Sequence, residues 1–309
     1  MRRRSFFGSI FAGLGAAGAQ PPKPKSGAIP TRALGRTGEQ LTIIGMGGAR
    51  FHLNTLEDGA ALVRRARGLG VNYFDMARSY ANGFGEEVYG AAIPPFRKEI
   101  FLTSKSGQRT RKGAETELDL SLKTMKTDYL DLWQIHGVNT KEDISKILAP
   151  GGALEAFVAA KKAGKCRFIG FTGHADPAFN LEMLRSHDGF DTMLMPLHVA
   201  DTAYLSFELG ALPAARERGI GMLGMKIFAN AFNLRGFNVR ECLSYTLTLP
   251  VHAVTLGFTT QGQLEDDVRI AQNFEPLSAA QMDALRARAK SGRFDVPNGP
   301  TLEYYKRKV

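Results

Sequence analysis

The sequence is poor in the residues that build disulfides and metal sites. It has two cysteines in 309 residues, Cys166 and Cys242, and neither stands at metal-ligand spacing. The histidines form no H-x-x-x-H pattern and no cluster with cysteine. We therefore expect two buried thiols and no metal site.

The chain also lacks an internal linker and a nucleic-acid-binding motif. No Pro/Ser-rich stretch divides it, so its length predicts a single large domain. The formal net charge is +10, but basic residues such as Arg64, Arg109 and Lys112 are scattered without interleaved aromatic residues. Binding to nucleic acid is therefore not expected.

Polar residues stand at the ends of three strand-like runs that should otherwise be apolar. Asp75 ends VNYFD, Lys105 ends IFLTSK and His136 ends DLWQIH, at intervals of about thirty residues. Each interval fits one βα unit, and the strand ends of a parallel barrel meet at one face. Tyr80 follows Asp75 by five residues. The four side chains are therefore predicted to lie together.

Each of these residues also has an ordinary structural explanation. A strand-end Asp often caps a helix, a Lys often reaches solvent, and a His is often a core residue. Together they suit proton transfer. An ammonium lowers the pKa of a neighbouring phenol, a carboxylate holds the ammonium, and an imidazole orients a carbonyl oxygen. None of them supplies a hydride, so the chemistry requires a cofactor.

Three motifs give the chain a resemblance to a known family. The stretches DMARSY (75–80), LTSKS (102–106) and DYLDLWQIHGV (128–138) resemble the aldo-keto reductases, and so does the opening RALGRTGEQLTIIGMGGARF (32–51). The resemblance implies a (β/α)8 TIM barrel over residues 31–309, with an N-terminal β-hairpin plug and a C-terminal helix and tail. It implies NAD(P)H as cofactor, a small carbonyl or alcohol substrate, and Asp75, Tyr80, Lys105 and His136 as the catalytic residues.

Hydrophobic patterning supports eight βα units. Helix-like stretches with apolar spacing near 3.6 include Thr110–Met125, Gly152–Gly164, Tyr204–Arg218 and Ala279–Lys290. The strand-like runs are Leu41–Met46, Val71–Met76, Ile100–Ser104, Leu130–His136, Cys166–Thr172, Phe190–Pro196, Ile220–Lys226 and His252–Phe258.

The same resemblance implies the cofactor-binding residues, with several departures from the family pattern. Where the family has Ser-Asn for the nicotinamide amide this chain has Thr172 and Gly173; Leu194 replaces a Gln, and Met225 replaces a Tyr. His174 and His198 follow strand-like runs and could approach the same pocket. The implied cofactor-binding set is Gly47, Gly48, Thr172, Gly173, Met225, Lys226, Thr259, Gln263, Asp266 and Asp267. Gly257 and Gln263 stand where NADP-preferring members carry Arg or Lys, and Asp266 and Asp267 would repel a nearby phosphate group. The choice between NAD and NADP therefore stays open.

The first nineteen residues resemble a twin-arginine export signal. RRRSFF (2–7) precedes a short apolar run and the small residues AGA (17–19), and an extended tether is expected over 20–30. The alternative is a disordered basic tail. A cleaved signal implies that the twin-arginine export machinery is a partner and that the protein is periplasmic or secreted. The mature chain would then carry a net charge of +7 and contain no integral membrane segment. Without a signal the protein would be cytoplasmic.

Two other functions fit parts of this pattern. A nucleotide-binding sensor of the same fold with little turnover is favoured by the weakened amide contacts and opposed by the complete set of four catalytic residues. A Schiff-base lyase could use Lys105 as nucleophile, but the accompanying Tyr80, Asp75 and His136 favour the oxidoreductase.

Overall fold

The computed structural model describes residues 27–229 and 236–290. The expected signal (1–19), most of the tether and the tail beyond residue 290 lie outside the described residues. Within the described part, no helix is long and apolar enough to cross a membrane.

A short antiparallel hairpin comes first. Strand β1 (Thr31–Ala33) pairs with β2 (Gln40–Thr42). Leu34 and Leu41 are buried and belong to the cluster of side chains that fills the barrel interior, together with Tyr73 from a barrel strand. The hairpin therefore plugs one end of the barrel, as the sequence predicted.

Eight parallel strands then close into a barrel in chain order, with the last strand beside the first. The barrel strands are β3 (Ile44–Gly47), β4 (Tyr73–Asp75), β5 (Phe101–Ser106), β6 (Leu130–Ile135), β7 (Cys166–Thr172), β8 (Thr192–Pro196), β9 (Gly221–Met225) and β10 (Ala253–Gly257). Helices cover the outside, so the fold is the predicted (β/α)8 barrel.

The helices begin at good capping residues. The side chains of Thr55, Thr110, Thr140, Asn238 and Thr260 each accept a backbone N–H of the following helix. The helices are α1 (Leu56–Gly68), α2 (Phe84–Ala92), α3 (Arg111–Met125), α4 (Lys141–Leu148), α5 (Ala153–Lys162), α6 (Pro177–Ser186), α7 (Ala211–Glu217), α8 (Val239–Thr248), α9 (Gln261–Gln272) and α10 (Ala279–Lys290).

Two predicted elements differ from the structure. The run Leu41–Met46 is divided, because its first residues pair in the hairpin while Ile44 enters the barrel. The predicted helix Tyr204–Arg218 is wrong in its first half, and only Ala211–Glu217 is helical. The buried carboxylate of Asp201 accepts the Ser206 hydroxyl at 2.7 Å and the Glu208 N–H at 2.9 Å. This local pairing competes with a helical turn.

The main apolar core lies between the strands and the surrounding helices. Trp133 of β6 stacks on Phe157 of α5 with ring centroids 3.6 Å apart. Cys166 and Cys242 are both free and fully buried, as predicted. Burial raises the pKa of each thiol to about 12, which leaves both groups unreactive at neutral pH.

Candidate active site

A cavity of about 670 Å³ opens where the barrel strands end. Its walls include Gly47, Asp75, Met225 and Gly257, which are the last residues of β3, β4, β9 and β10. His136, directly after β6, also lines it. The cavity therefore occupies the end of the barrel where the loops after the strands meet.

Three of the four predicted catalytic residues are joined by hydrogen bonds beneath this cavity. The Lys105 ammonium donates to Asp75 Oδ2 at 2.6 Å, to the Met76 carbonyl at 2.7 Å, and to the Tyr80 hydroxyl at 3.4 Å. Thr103 donates to the other oxygen of Asp75 at 2.7 Å. Because Lys105 and Asp75 are 1% and 2% exposed, this ion pair is fully enclosed by protein.

Burial and the Lys105 charge act in opposite directions on Tyr80. Burial raises the pKa of the phenol above its ordinary value, while the charge and hydrogen bond of Lys105 lower it and Asp75 adds to the increase. The net direction is upward, so Lys105 limits the increase without reversing it. Burial lowers the pKa of Lys105 itself, but the neighbouring Asp75 and Tyr80 hold it above its ordinary value.

His136 completes the set as a neutral imidazole. Its ring stands edge-on to Tyr80 with centroids 5.7 Å apart, and Nδ1 lies 3.3 Å from the Ser79 hydroxyl. Burial, then the charges of Lys105, Arg109 and Lys226, lower the pKa of His136 to about 3. If Ser79 donates to Nδ1, the ring hydrogen lies on Nε2 and can be donated to a ligand.

Arg109 fixes the loop that carries His136, a role that the sequence did not indicate. The guanidinium donates to the carbonyls of His136 at 3.0 Å and Gly137 at 2.7 Å, and its Nε donates to Asp143 at 2.8 Å. Asp143 in turn forms the capping box of α4 with Thr140. In the sequence, Arg109 looked like one more scattered basic residue.

The segment after Tyr80 has an unusual backbone. Ala81 and Asn82 have φ values of 50° and 54°, and Gly83 has a φ of 97°. A Cβ at Gly83 would lie 1.3 Å from Nη2 of Arg78, whose guanidinium pairs with the fully buried Glu86. Residues 81–83 therefore adopt left-handed backbone conformations, which residues other than glycine adopt rarely. At position 83 only glycine leaves room for the Arg78 guanidinium.

The predicted cofactor-binding residues separate into two groups. Those that line the cavity are Gly47, Met225, Lys226, Thr259 and Gln263. Gly48, Thr172, Gly173, Asp266 and Asp267 are not among its lining residues. For all of them the role in cofactor binding stays a prediction.

Local contacts explain why the second group lies elsewhere. The Thr172 hydroxyl accepts the Gly137 N–H at 2.8 Å, and Thr172 is fully buried. Asp266 pairs with Arg269 on the exposed side of α9. Asp267 is 7% exposed, and burial raises the pKa of its carboxyl to about 7.

Other side chains also line the cavity, among them Arg50, Asn139 and His174. Of the two histidines that could approach the pocket, His174 lines the cavity and His198 is not among its lining residues. Asn139 and Arg50 were missed. Arg50 crosses in front of Gly257, since a Cβ there would lie 2.9 Å from Cγ of Arg50. Arg50 thus brings a cation beside a position where the sequence offered none.

Comparisons with known proteins agree with this architecture. Residues 43–241 match the model of the Aldo/keto reductase family. The chain is 32% identical over 154 residues to the uncharacterized oxidoreductase YqkF of Bacillus subtilis, covering 46% of this chain and 48% of that protein. It is 28% identical over 215 residues to L-galactose dehydrogenase of Arabidopsis thaliana, covering 63% and 64%.

Solved structures extend the likeness in fold over more of the chain. The aldo-keto reductase AKR11C1 from Bacillus halodurans, in its holo form, superposes with a TM-score of 0.72 at 20% identity, covering 85% of this chain and 97% of that one. The matches to the two curated relatives above span about half and about two thirds of those proteins.

Proposed function

The chain belongs to the aldo/keto reductase family, and we propose that it is an NAD(P)(H)-dependent oxidoreductase that interconverts a small aldehyde or ketone with the corresponding alcohol. The observation that supports this most strongly is the enclosed chain of contacts from Asp75 through Lys105 to the Tyr80 hydroxyl, beside His136 at the cavity. This arrangement delivers one proton to an oxygen atom placed between Tyr80 and His136.

Each residue has a distinct part in that proton transfer. Tyr80 holds the proton that the carbonyl oxygen receives, because its raised pKa keeps the phenol protonated at neutral pH. Lys105 stabilises the phenolate that remains, and Asp75 keeps the ammonium in place. His136 stays neutral near pH 7 and donates a hydrogen bond to the same oxygen. A nicotinamide cofactor supplies the hydride when it is bound.

The residues that line the cavity fit such a cofactor. Arg50 and Lys226 place positive charge in the wall, which suits the anionic pyrophosphate. Thr259 and Gln263 stand at the N-terminal end of α9, where backbone N–H groups favour phosphate oxygens. Arg50 would also suit a 2′-phosphate, so both NADH and NADPH belong in the first assay.

The test combines nucleotide binding with turnover. Wild-type protein and Tyr80→Phe are titrated with NADH and NADPH, and oxidation of the nucleotide is then followed on adding small aldehydes and ketones. We expect equal nucleotide affinity in both proteins and a turnover at least about 100-fold lower in Tyr80→Phe. Full activity in the variant would rule out Tyr80 as the acid. Tight binding without wild-type turnover would instead indicate a nucleotide-binding sensor.

We further propose that the protein is exported by the twin-arginine route, on the strength of residues 1–19 alone. This route carries folded proteins, so a nucleotide bound before export could travel with the chain. Replacing Arg2, Arg3 and Arg4 together by Lys keeps the charge and should abolish the appearance of the protein outside the cytoplasm. Unchanged cell fractionation would reject the proposed signal.

A further inference from the structure

A second cavity lies at the end of the barrel opposite the active site. It has a volume of about 640 Å³. Ile220 and His252, which directly precede β9 and β10, line this cavity, whereas the last residues of the same two strands line the active-site cavity. The hairpin plug forms another wall through Arg32 and Arg36. The second cavity is therefore separate from the site proposed for hydride transfer.

The polar side chains that line this second cavity are all basic. They are Arg32, Arg36, Arg216 and His252. The other lining residues are glycine or apolar, and no carboxylate of the described residues is among them. Glu217 follows Arg216 in the chain but lines a neighbouring groove instead. The cavity therefore combines a positively charged part with an apolar part.

Two of these arginines contact main-chain carbonyls rather than carboxylates. Arg32 donates to the Val251 carbonyl at 2.6 Å and to the Leu247 carbonyl at 2.8 Å. Arg36 donates to the Asp188 carbonyl at 2.9 Å. These carbonyls orient the guanidinium groups but carry no net charge. Within residues 27–229 and 236–290 neither arginine forms an ion pair, so no neighbouring carboxylate compensates their charges.

The position of Arg32 makes its uncompensated charge costly. The residue is half-buried, and burial lowers the pKa of its guanidinium below the ordinary value. A charge removed from water is normally paired with an opposite charge. Arg216 is exposed on α7, and its side chain forms neither an ion pair nor a hydrogen bond with the part of the chain that the structure describes. A bound anion would compensate Arg32 and give Arg216 a partner.

His252 adds a neutral hydrogen-bond donor to this cavity. The Met222 N–H donates to Nδ1 of His252 at 2.8 Å, so the neutral ring carries its hydrogen on Nε2. Burial lowers the pKa of His252, the contact with the Met222 backbone opposes this change, and the charge of Arg32 lowers the pKa further. The net direction is downward, so the ring is neutral at pH 7 and Nε2 can donate to an anion.

We propose that this second cavity binds an organic phosphate, with the phosphate group held by Arg32, Arg36 and Arg216. The N–H groups of a guanidinium match the oxygen atoms of a phosphate, and a phosphate dianion balances two of the three charges. The apolar part of the ligand packs against Ile220 and Leu249. The volume suits more than a lone phosphate, since small-molecule sites measure about 300–1000 Å³. The phosphate belongs either to a soluble small molecule or to a phospholipid headgroup.

The test uses the full-length protein and phenyl phosphate, which joins a phosphate group to an apolar ring. Calorimetry compares its dissociation constant with those of inorganic phosphate and phenol, each of which offers half of the ligand. The variants are Arg36→Gln and Arg216→Gln, because both side chains are exposed. The matched control is Arg64→Gln, an exposed arginine of α1 that lines neither cavity. Arg50→Gln tests binding in the active-site cavity, and thermal unfolding verifies that each variant is folded.

Sedimentation with lipid vesicles identifies the source of the phosphate. Vesicles of phosphatidylglycerol are compared with vesicles of phosphatidylcholine. If the protein binds phosphatidylglycerol vesicles but not phenyl phosphate, and Arg36→Gln and Arg216→Gln release it, the ligand is a lipid headgroup. If it binds phenyl phosphate and neither kind of vesicle, the ligand is a soluble phosphate.

We expect phenyl phosphate to bind more tightly than inorganic phosphate or phenol. Arg36→Gln and Arg216→Gln should each weaken its binding about tenfold, because each variant loses a charged hydrogen-bond donor. Arg64→Gln and Arg50→Gln should match the wild type. Added salt should weaken binding, since the contact is electrostatic.

Four results would overturn the inference. The first is that the wild type binds neither phenyl phosphate nor phosphatidylglycerol vesicles, and the second is unchanged binding in Arg36→Gln and Arg216→Gln. The third is an equal loss in Arg64→Gln, which would indicate attraction to the overall positive charge. The fourth is a loss confined to Arg50→Gln, which would place the phosphate in the active-site cavity. Nucleotide-dependent turnover is measured separately, so none of these results bears on the proposed function.

Discussion

The enclosed ion pair between Lys105 and Asp75 makes a quantitative prediction. Asp75→Asn removes the negative charge and leaves the ammonium, 1% exposed, with neutral acceptors such as the Met76 carbonyl and the Tyr80 hydroxyl. Leaving one charge of a buried pair uncompensated costs about 3–5 kcal/mol. At roughly 2–4 °C per kcal/mol for a domain of about 150–250 residues, the Tm should fall by roughly 6–20 °C.

The double variant separates charge compensation from simple loss of contacts. Lys105→Met alone leaves the buried Asp75 carboxylate without its cation, with the Thr103 hydroxyl still donating to it at 2.7 Å, so it should be as destabilising as Asp75→Asn. Combining the two substitutions removes both charges from this buried site. We therefore expect the double variant to be more stable than either single variant, although all three should lose activity.

Urea unfolding followed by the fluorescence of Trp133, the single tryptophan, measures these free energies. A matched control is Lys146→Met, because Lys146 pairs with Glu142 at 2.6 Å while both side chains are more than half exposed. Its free energy of unfolding should change very little. Destabilisation of the double variant equal to the sum of the single variants would refute the reasoning, since the two charges would then not compensate one another.

Three other predictions concern protonation and positioning. Lys105→Met removes the charge that lowers the pKa of Tyr80, so the pH at which residual alcohol oxidation reaches half its maximum should rise; an unshifted pH profile would make Lys105 purely structural. Folding lowers the pKa of His136 from 6.5 to about 3. Between pH 6.5 and pH 3 the unfolded chain therefore binds a proton at this residue that the folded chain does not, and the free energy of unfolding falls as the pH falls. His136→Asn should make that fall shallower in urea unfolding at a series of pH values, and an identical slope would contradict the assigned pKa. Arg109→Met frees the carbonyl of His136, so kcat should fall several-fold while nucleotide affinity stays the same, and a change in affinity alone would contradict the positioning role.

The order of the strands, and the four residues proposed for proton transfer, could be predicted because both follow from local patterns of residues. Runs such as Cys166–Thr172 are apolar, bounded by turns and the right length for a buried strand, and the structure has that strand with the same bounds. Asp75 and Lys105 are conspicuous because a charged residue at the end of such a run is unusual in a core. The prediction of a helix over Tyr204–Arg218 was wrong in its first half because the apolar spacing of the run suits a helix. The buried Asp201, whose carboxylate accepts the Glu208 N–H, lies outside the run.

The sequence by itself determined the barrel, its hairpin plug and the four residues proposed for proton transfer, because periodicity, caps and strand ends act over a few neighbouring residues. Only the tertiary structure decided which loop side chains surround the cavity. Arg50, Asn139 and His174 come from loops that are distant in the chain, and they meet because closing the barrel brings β10 beside β3. The filling of the Gly173 position by Asn180 depends on the packing of α6 against the end of β7. Such packing depends on distances between segments, which no local pattern of residues encodes.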